Sequence, residues 1–237
     1  MIFFTVLFTL PGKKATENLY VSMFLMLLKT LLKTGTLTTN DTFYVMTDAA
    51  TAELLPPNVK ALVLPQPTTL LEGISWRYKF FDYVEPDEGS TYLYIDTDHL
   101  AIKETRLSIS PDTIAVYPEG KPDDTNYCGT LGWKLSHPGL AAGFWAIRPG
   151  PKTLRTLKLV SRIIEQHKDA GFYTVEQPMW NVGITDHTPL VYFDPRFISF
   201  NGHGDNKLAH FINLAGEPGD GFFHYNKMFR MFLMLFP

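Results

Sequence analysis

The chain has 237 residues, 45% of them hydrophobic, which suits one large globular domain and excludes a mainly disordered protein. A net charge of −3 gives no electrostatic case for binding nucleic acid, and the one cysteine, Cys128, cannot form an intramolecular disulfide. Nothing therefore suggests an oxidising compartment, and a cytoplasmic location is the expectation.

The first apolar run, residues 2–10, is interpreted as a buried strand, because neither a basic segment before it nor a small-residue cleavage site after it marks a signal peptide. The next apolar run, residues 19–28, is shorter than the roughly 20 residues that a bilayer span needs, so no integral membrane segment is expected. The apolar segment at residues 228–237 predicts a helix docked on the core, with contact to a membrane surface or a partner as the alternative.

Short β-rich runs alternate with helical segments, a pattern that predicts an α/β fold. Helices are predicted after a cap at Thr16, at residues 76–84 after a cap at Ser75, at residues 152–168 and from Glu176 onward. Further strands are predicted at residues 42–46, 61–64, 91–95, 113–117, 143–147, 190–193 and 208–211. Residues 118–139 form a long stretch rich in Gly, Pro and Asp, which is typical of a functional loop.

The sequence YLYIDTD at residues 92–98 places two carboxylates at the end of a buried strand. Alternate residues of a strand point the same way, so Asp96 and Asp98 are predicted to address one site. Two carboxylates that close repel each other unless a cation lies between them, and oxygen ligands favour hard divalent ions. In open α/β sheets such sites form beyond the carboxyl ends of strands. For an isolated D-x-D, a turn or capping pair is the alternative.

Several motifs, in chain order, resemble those of glycosyltransferase family 8, a family of retaining enzymes. They are WRYKF at residues 76–80, YLYIDTD at 92–98, GFWAI at 143–147, EQPMWN at 176–181, and AHF at 209–211 followed by Gly216 and Pro218. The resemblance spans most of the chain and implies one domain over residues 1–237 with the GT-A fold, a mostly parallel central sheet flanked by helices. About residues 1–100 would form the donor half and about residues 101–237 the acceptor half.

The resemblance also implies the residues of the site. A divalent ion would be held by Asp96, Asp98 and His210, and an imidazole ligand shifts the preference toward Mn²⁺, with Mg²⁺ as the alternative. A UDP-sugar, with glucose or galactose as the hexose, would contact Thr9, Tyr20, Arg77, Lys79, Asp96, Thr97 and Asp98. Gln177, with Glu176 nearby, would face the reacting sugar or the acceptor, which the sequence does not identify. Trp133 is the candidate for stacking on that acceptor.

Each of these residues also has a structural interpretation. Tyr20 can be core, His210 can be a strand-edge histidine, and Lys79 with Arg77 can lie on a solvated helix face. A helix that begins at Glu176 would keep Pro178 in its first turn, where proline is tolerated.

Three departures from the family pattern bear on activity. Ala141 and Ala142 stand where the family has Asn-Ser, Glu176 stands for an aspartate, and no lysine precedes Pro218, so that Lys207 or Lys227 would have to substitute. These departures keep open a non-catalytic nucleotide- or glycan-binding module and a nucleotide-sugar hydrolase beside the retaining transferase.

Overall fold

The computed structural model describes residues 1–129, 132–170, 172–185, 187–200, 206–210 and 220–236. Seven strands form a central sheet: β1 (Ile2–Val6), β2 (Thr42–Thr47), β3 (Lys60–Val63), β4 (Tyr92–Ile95), β6 (Thr113–Gly120), β7 (Gly139–Arg148) and β8 (Leu190–Tyr192). Three further strands form a small sheet: β5 (His99–Ala101), β9 (Ile198–Phe200) and β10 (Leu208–His210).

The central sheet has the strand order β3-β2-β1-β4-β7-β6-β8. Every neighbouring pair is parallel except the two that involve β7, which runs antiparallel to β4 and β6. In the small sheet β10 lies between β5 and β9. The predicted α/β fold with a mostly parallel central sheet is therefore confirmed.

Seven α-helices are described, and most of them flank the central sheet: α1 (Leu19–Lys33), α2 (Ala49–Ala52), α3 (Leu70–Ser75), α4 (Thr125–Cys128), α5 (Pro151–His167), α6 (Phe172–Gly183) and α7 (Asp220–Leu235). Short 3₁₀ helices occur at Ala15–Glu17, Trp76–Asp82, Lys168–Ala170 and Pro195–Phe197. No helix within the described ranges is long and apolar enough to cross a membrane.

The core has one layer on each face of the central sheet. Successive strand residues point to opposite faces, so Phe3 and Leu93 pack beneath α1, whereas Phe4 and Tyr94 pack toward α5 and α6. All four side chains are at most 1% exposed. Burial on both faces explains why β4 has an unbroken apolar sequence rather than an alternating one.

The first helix begins at a different residue from the predicted Thr16. That residue lies inside the 3₁₀ helix Ala15–Glu17, and the cap of α1 is Asn18, whose side-chain oxygen accepts a hydrogen bond from the Tyr20 N–H at 3.0 Å. An amide acceptor placed before the first turn satisfies one of the unpaired N–H groups there. The predicted end is confirmed, since Gly35 follows α1 with a φ of 73°.

The second predicted helix, at residues 76–84, is the 3₁₀ helix Trp76–Asp82, and an α-helix that was not predicted precedes it. α3 is capped by Thr69, whose hydroxyl accepts from the Glu72 N–H at 3.1 Å. Ser75, the last residue of α3, stands at the predicted N-cap position of the 3₁₀ helix but forms no side-chain capping hydrogen bond there. The chain then tightens into the 3₁₀ helix Trp76–Asp82, which buries Arg77 against the edge of the site described below.

The predicted loop at residues 118–139 is partly regular structure. β6 continues to Gly120, which pairs with Gly139 of β7, and α4 lies between them in sequence. The ring of Tyr127 lies where a Cβ on either glycine would be. The two glycines therefore let α4 approach the sheet closely.

α6 begins before the predicted Glu176, so that residue stands within the helix and Pro178 is an interior proline. An interior proline removes a backbone hydrogen bond, which usually breaks a helix. Here Met179 and Trp180, both 0% exposed, hold the helix against the core and outweigh that cost.

Candidate active site

The strand order of the central sheet reverses at β1 and β4. The chain runs from β1 outward to β2 and β3, and β4 then returns to the other side of β1. Such a reversal of strand order leaves an opening beyond the strand ends, where open α/β sheets bind ligands. Thr9 follows β1, and Asp96 follows β4, so the sequence motif lies at this opening.

Asp96 is held by groups of the central sheet. Its carboxylate accepts hydrogen bonds from the Tyr94 hydroxyl and, at 3.4 Å, from the Arg77 guanidinium. Its backbone N–H donates to the Gly143 carbonyl at 2.9 Å. A Cβ built on Gly143 would lie 2.5 Å from Asp96 Oδ2, so only glycine at that position leaves room for this carboxylate.

Arg77 connects Asp96 to Glu176 of α6. Its side chain is 3% exposed, donates to the Ala142 carbonyl at 3.2 Å and forms an ion pair with Glu176. Tyr78 donates a second hydrogen bond to Glu176 at 3.2 Å. Burial opposes charge on Arg77, but the neighbouring tyrosines and Asp96 outweigh it and raise the pKa of the guanidinium.

Asp98 faces the small sheet instead. One carboxylate oxygen lies 3.2 Å from His99 Nδ1 and the other 3.5 Å from His210 Nε2. The two histidines face each other in register on β5 and β10, and their rings stack with centroids 4.1 Å apart. His99 Nδ1 also lies 3.1 Å from the Asp96 carbonyl oxygen, which links the cluster to the end of β4.

Asp98 and His210 stabilise each other's charged forms. Burial opposes ionisation of Asp98, but the two histidines outweigh it and lower the pKa of the carboxyl below its usual range. Burial opposes protonation of His210, but Asp98 outweighs it and raises the pKa of the imidazole. For His99, burial and the neighbouring His210 together lower the pKa. Burial raises the pKa of Asp96, although Arg77 opposes that effect.

Asp98, His99 and His210 fit a divalent cation. Each offers a ligand atom, and these atoms lie within 4.8 Å of one another. His99 Nε2 is buried and has no hydrogen-bond partner in the described part of the chain, which is costly unless another group satisfies it. One carboxylate with two imidazoles suits a transition metal better than Mg²⁺, which prefers oxygen ligands.

Gln177 of α6 lies next to β7. Its side-chain oxygen accepts from the Ala142 N–H and its amide nitrogen donates to the Asn126 carbonyl, both at 3.4 Å. Asn181, one turn later, grips the backbone of Leu140, accepting from its N–H at 2.7 Å and donating to its carbonyl at 3.0 Å. This clamp fixes the face of α6 that carries Gln177 and Glu176 against the sheet.

Three residues predicted to contact the nucleotide are buried or half-buried, and one of them, Thr9, forms hydrogen bonds within the protein. Thr9 is 3% exposed, and its N–H donates to Asp48 at 2.8 Å while its hydroxyl lies 2.9 Å from that of Thr51. Tyr20 is half-buried and packs against the apolar side chains around α1. Thr97, between the two aspartates, is 6% exposed. The structure thus places Thr9 and Thr97 beyond the ends of β1 and β4 and leaves their role in binding a prediction.

Two predicted residues lie with other partners. The pKa of Glu72 is lowered mainly by hydrogen bonds from Thr68 and that of Glu165 mainly by Lys168, and the positive charge of Lys79 adds to both effects. Trp133 is half-buried and packs edge-on against His167 at the end of α5, with ring centroids 5.5 Å apart. The motif around Gly216 and Pro218 lies outside the described residues.

Solved structures with the same architecture are known. The chain is similar to the galactosyltransferase LgtC in complex with donor and acceptor sugar analogs, with a TM-score of 0.64, 14% identity, and coverage of 98% of this chain and 95% of that one. It is also similar to an active-site variant of LgtC, in which glutamate replaces a glutamine, with a TM-score of 0.58, 14% identity, and coverage of 98% and 96%. The chain has the GT-A fold.

The comparison confirms, at the level of the fold, the resemblance seen in the motifs. No protein-family model matches the chain, and no curated protein matches it in sequence. At 14% identity the shared GT-A fold does not transfer the roles of individual residues.

Sequence reasoning missed two residues near the cluster. His99 directly follows the D-x-D motif, and that adjacency was the signal that could have identified it. Glu119 lies near the end of β6. Burial raises the pKa of its carboxyl, and this effect outweighs the charge of His210 and the hydrogen bond with Tyr127, both of which lower it. Only the fold brings Glu119 close, so no local pattern could have identified it.

Proposed function

We propose that the protein is a metal-dependent glycosyltransferase that moves a hexose, glucose or galactose, from a UDP-sugar to an acceptor with retention of configuration. The observation that carries the proposal is the cluster of Asp98, His99 and His210 beside Asp96, at the strand-order reversal of a GT-A fold. The similar structure of LgtC with donor and acceptor sugar analogs supports a sugar-transfer reaction.

Asp96, Asp98 and His210 would hold the divalent ion, with His99 as an additional ligand. Mn²⁺ suits this mixed oxygen and nitrogen set, with Mg²⁺ as the alternative. When bound there, the ion supplies positive charge to the diphosphate that departs from the sugar. Thr9, Tyr20, Thr97 and Lys79 are proposed as contacts of the nucleotide and the diphosphate.

Arg77 would act by holding two carboxylates in place rather than by contacting the donor. Because Glu176 is paired with Arg77 and Tyr78, it is not free to attack the anomeric carbon. Gln177 is uncharged and is a poor covalent nucleophile. With retention of configuration as proposed, and with neither residue as a covalent nucleophile, the acceptor would attack from the face of the leaving group.

We also propose which part of the chain binds the donor and which part binds the acceptor. About residues 1–100 supply β1, β4 and the D-x-D motif, and are proposed as the donor half. About residues 101–237 supply α6, β10 and the region of Trp133, and are proposed as the acceptor half. The LgtC variant supports a role for a glutamine in the active site, for which Gln177 is the candidate here.

Calorimetric titration of UDP and UDP-sugars tests the proposal. We expect binding to the wild-type protein with Mn²⁺, loss of binding with a chelator, and loss in Asp98→Ala. Asp169→Asn, which removes an exposed carboxylate after α5, is the matched control and should bind normally. Absence of nucleotide binding to the wild-type protein at any metal concentration would exclude a UDP-sugar transferase.

A non-catalytic binding module is the second candidate function. Asp96 is already engaged by Arg77 and Tyr94, which favours a site that holds a ligand without changing it. Chromatography of a UDP-sugar incubated with Mn²⁺, with and without sugar acceptors, distinguishes the outcomes. Transfer supports the first proposal, an unchanged donor supports the module, and UDP release without an acceptor indicates a hydrolase.

A further inference from the structure

Helices α1 and α7 lie side by side and point in the same direction. Lys29 Nζ lies 5.9 Å from the ring centroid of Phe232, and Lys33 Nζ lies 4.4 Å from that of Phe236. Both pairs advance by four residues, about one turn, in the same order along the two helices. The two helices therefore present a common outward surface.

One side of α7 is part of the core. Met228 is 0% exposed and packs with Met23 and Met26 of α1, Leu100 of β5 and Ala209 of β10. This contact confirms the predicted docking of the apolar segment on the core. It also means that the apolar residues on the opposite side of α7 are not required for that docking.

The outward side of α7 is apolar as well. Phe229 is 41% exposed, Leu233 49% and Met234 73%, and on α1 the neighbouring Leu32 is 45% exposed. Residues 229 and 233 lie one turn apart, with 230 and 234 beside them, so they form one stripe. We call these residues, with the basic side chains described next, the α1–α7 face.

The charged groups on this face are basic. Lys29, Lys33 and Arg230 are exposed, α1 contains no acidic residue, and the only acid of α7 is Asp220 at its first position. An open cavity of about 390 Å³ adjoins the face where the two helices end. Its lining includes Lys33, Thr34 and Lys103, with Glu104 as its one acidic group.

We propose that the α1–α7 face docks on a bilayer surface that contains anionic phospholipids. Leu233, Met234 and Phe229 would enter the boundary between headgroups and acyl chains, while the basic side chains remain at the level of the phosphates. A second copy of the chain fits less well, because a symmetric contact would bring the same positive charges together. The proposal does not depend on the transferase activity.

Docking of this face would hold the candidate active site near the bilayer. α7 rests on Leu100 and Ala209, which directly adjoin His99 and His210 along β5 and β10. The α1–α7 face and the metal cluster therefore share one pair of strands.

Co-sedimentation with large unilamellar vesicles tests the proposal. We expect the wild-type protein to bind vesicles of mixed phosphatidylcholine and phosphatidylglycerol, to bind phosphatidylcholine vesicles much less, and to dissociate as salt is raised. The double variant Leu233→Ser, Met234→Ser should bind at least about tenfold more weakly, because it removes two inserted apolar side chains. Arg230→Glu should weaken binding only to the anionic vesicles.

Val63→Ser is the matched control, since Val63 is an apolar side chain 55% exposed on β3. It should bind like the wild-type protein, and circular dichroism should show that all variants are folded. Absence of wild-type binding to anionic vesicles, or equal binding of the double variant, overturns the proposal. Sedimentation velocity that shows a dimer, lost in the double variant, together with no vesicle binding would assign the face to a second copy instead.

Discussion

The two aspartates that follow β4 have different neighbours. Asp96 contacts residues beside the central sheet, whereas Asp98 contacts two histidines of the small sheet. Asp96 meets Arg77 and Tyr94, fixed charges and dipoles that are buried beneath α6. Asp98 meets two imidazoles that can change their protonation or bind a metal. The pKa of Asp96 is raised by burial, whereas that of Asp98 is lowered by the histidines. We infer that Asp96 anchors the motif, and we expect Asp98 to be the stronger ligand of the proposed ion.

The largest expected effect is the loss of stability when Arg77, the common partner of Asp96 and Glu176, is replaced. Arg77→Met would leave Asp96 and Glu176 without their common partner, and breaking a buried ion pair from one side costs about 3–5 kcal/mol of unfolding free energy. Urea denaturation followed by circular dichroism measures the loss. Arg155→Met, on the exposed side of α5, is the control and should change stability little. A loss below about 1 kcal/mol for Arg77→Met would contradict the role of the network.

The next effect separates the two aspartates as ligands. In a Mn²⁺ titration followed by electron paramagnetic resonance, Asp98→Asn should weaken metal binding by about 100-fold, because it removes a charged ligand from the cluster. Asp96→Asn should weaken binding by about tenfold, since its carboxylate is already paired with Arg77. Equal losses of metal affinity in the two variants would contradict this distinction and show that the two carboxylates are equivalent ligands.

The sequence predicted the residues around the D-x-D motif but not all of their contacts. Buried β4, the D-x-D motif and the glycine strand follow from local patterns, and the resemblance added His210 at the end of β10. It did not predict that Arg77 would bind Asp96 and Glu176, which are 19 and 99 residues away along the chain. Such contacts depend on how the 3₁₀ helix and α6 are placed on the sheet, and no periodicity encodes that placement.

The same reason explains the errors at helix ends. Thr16 is a suitable capping residue, yet Asn18 caps α1 instead. Ser75 stands at the N-cap position of the 3₁₀ helix Trp76–Asp82 but forms no side-chain capping hydrogen bond. Pro178 indicated a helix start, but tertiary packing of Trp180 tolerates it inside α6. At Pro178, local propensity was overruled by contacts with the core.

A smaller effect concerns the space beside Asp96. Gly143→Ala would place a methyl group 2.5 Å from the present position of Asp96 Oδ2, so the carboxylate must move from that position. We expect a loss of about 2 kcal/mol in unfolding free energy, typical of overpacking at a buried site. A double-mutant cycle with Asp96→Ala is the control, because removal of the carboxylate should remove most of the cost. An undiminished cost in the Asp96→Ala background would mean that another neighbour causes the strain.

The smallest expected effect is the contribution of Tyr78, the neighbour of Arg77, to stability at alkaline pH. Burial is the main cause that raises the pKa of Tyr78 to about 12, so the folded protein keeps this proton at pH values where the unfolded chain releases it. Stability should therefore fall as pH rises from about 10 to about 12, because the unfolded state binds fewer protons there. Tyr78→Phe should reduce that slope, at a cost of about 1 kcal/mol near neutral pH for the lost hydrogen bond to Glu176.

Urea denaturation between neutral pH and pH about 11 measures the slope for both proteins. Tyr83→Phe is the matched control, since Tyr83 is 51% exposed and its removal should leave the Tyr78 contribution intact. An equal slope in Tyr78→Phe and the wild-type protein would show that this hydroxyl is accessible to hydroxide in the folded state. The anchor around Arg77 would then be looser than the contacts with Asp96 and Glu176 imply, and the contrast between the two aspartates would lose its physical basis.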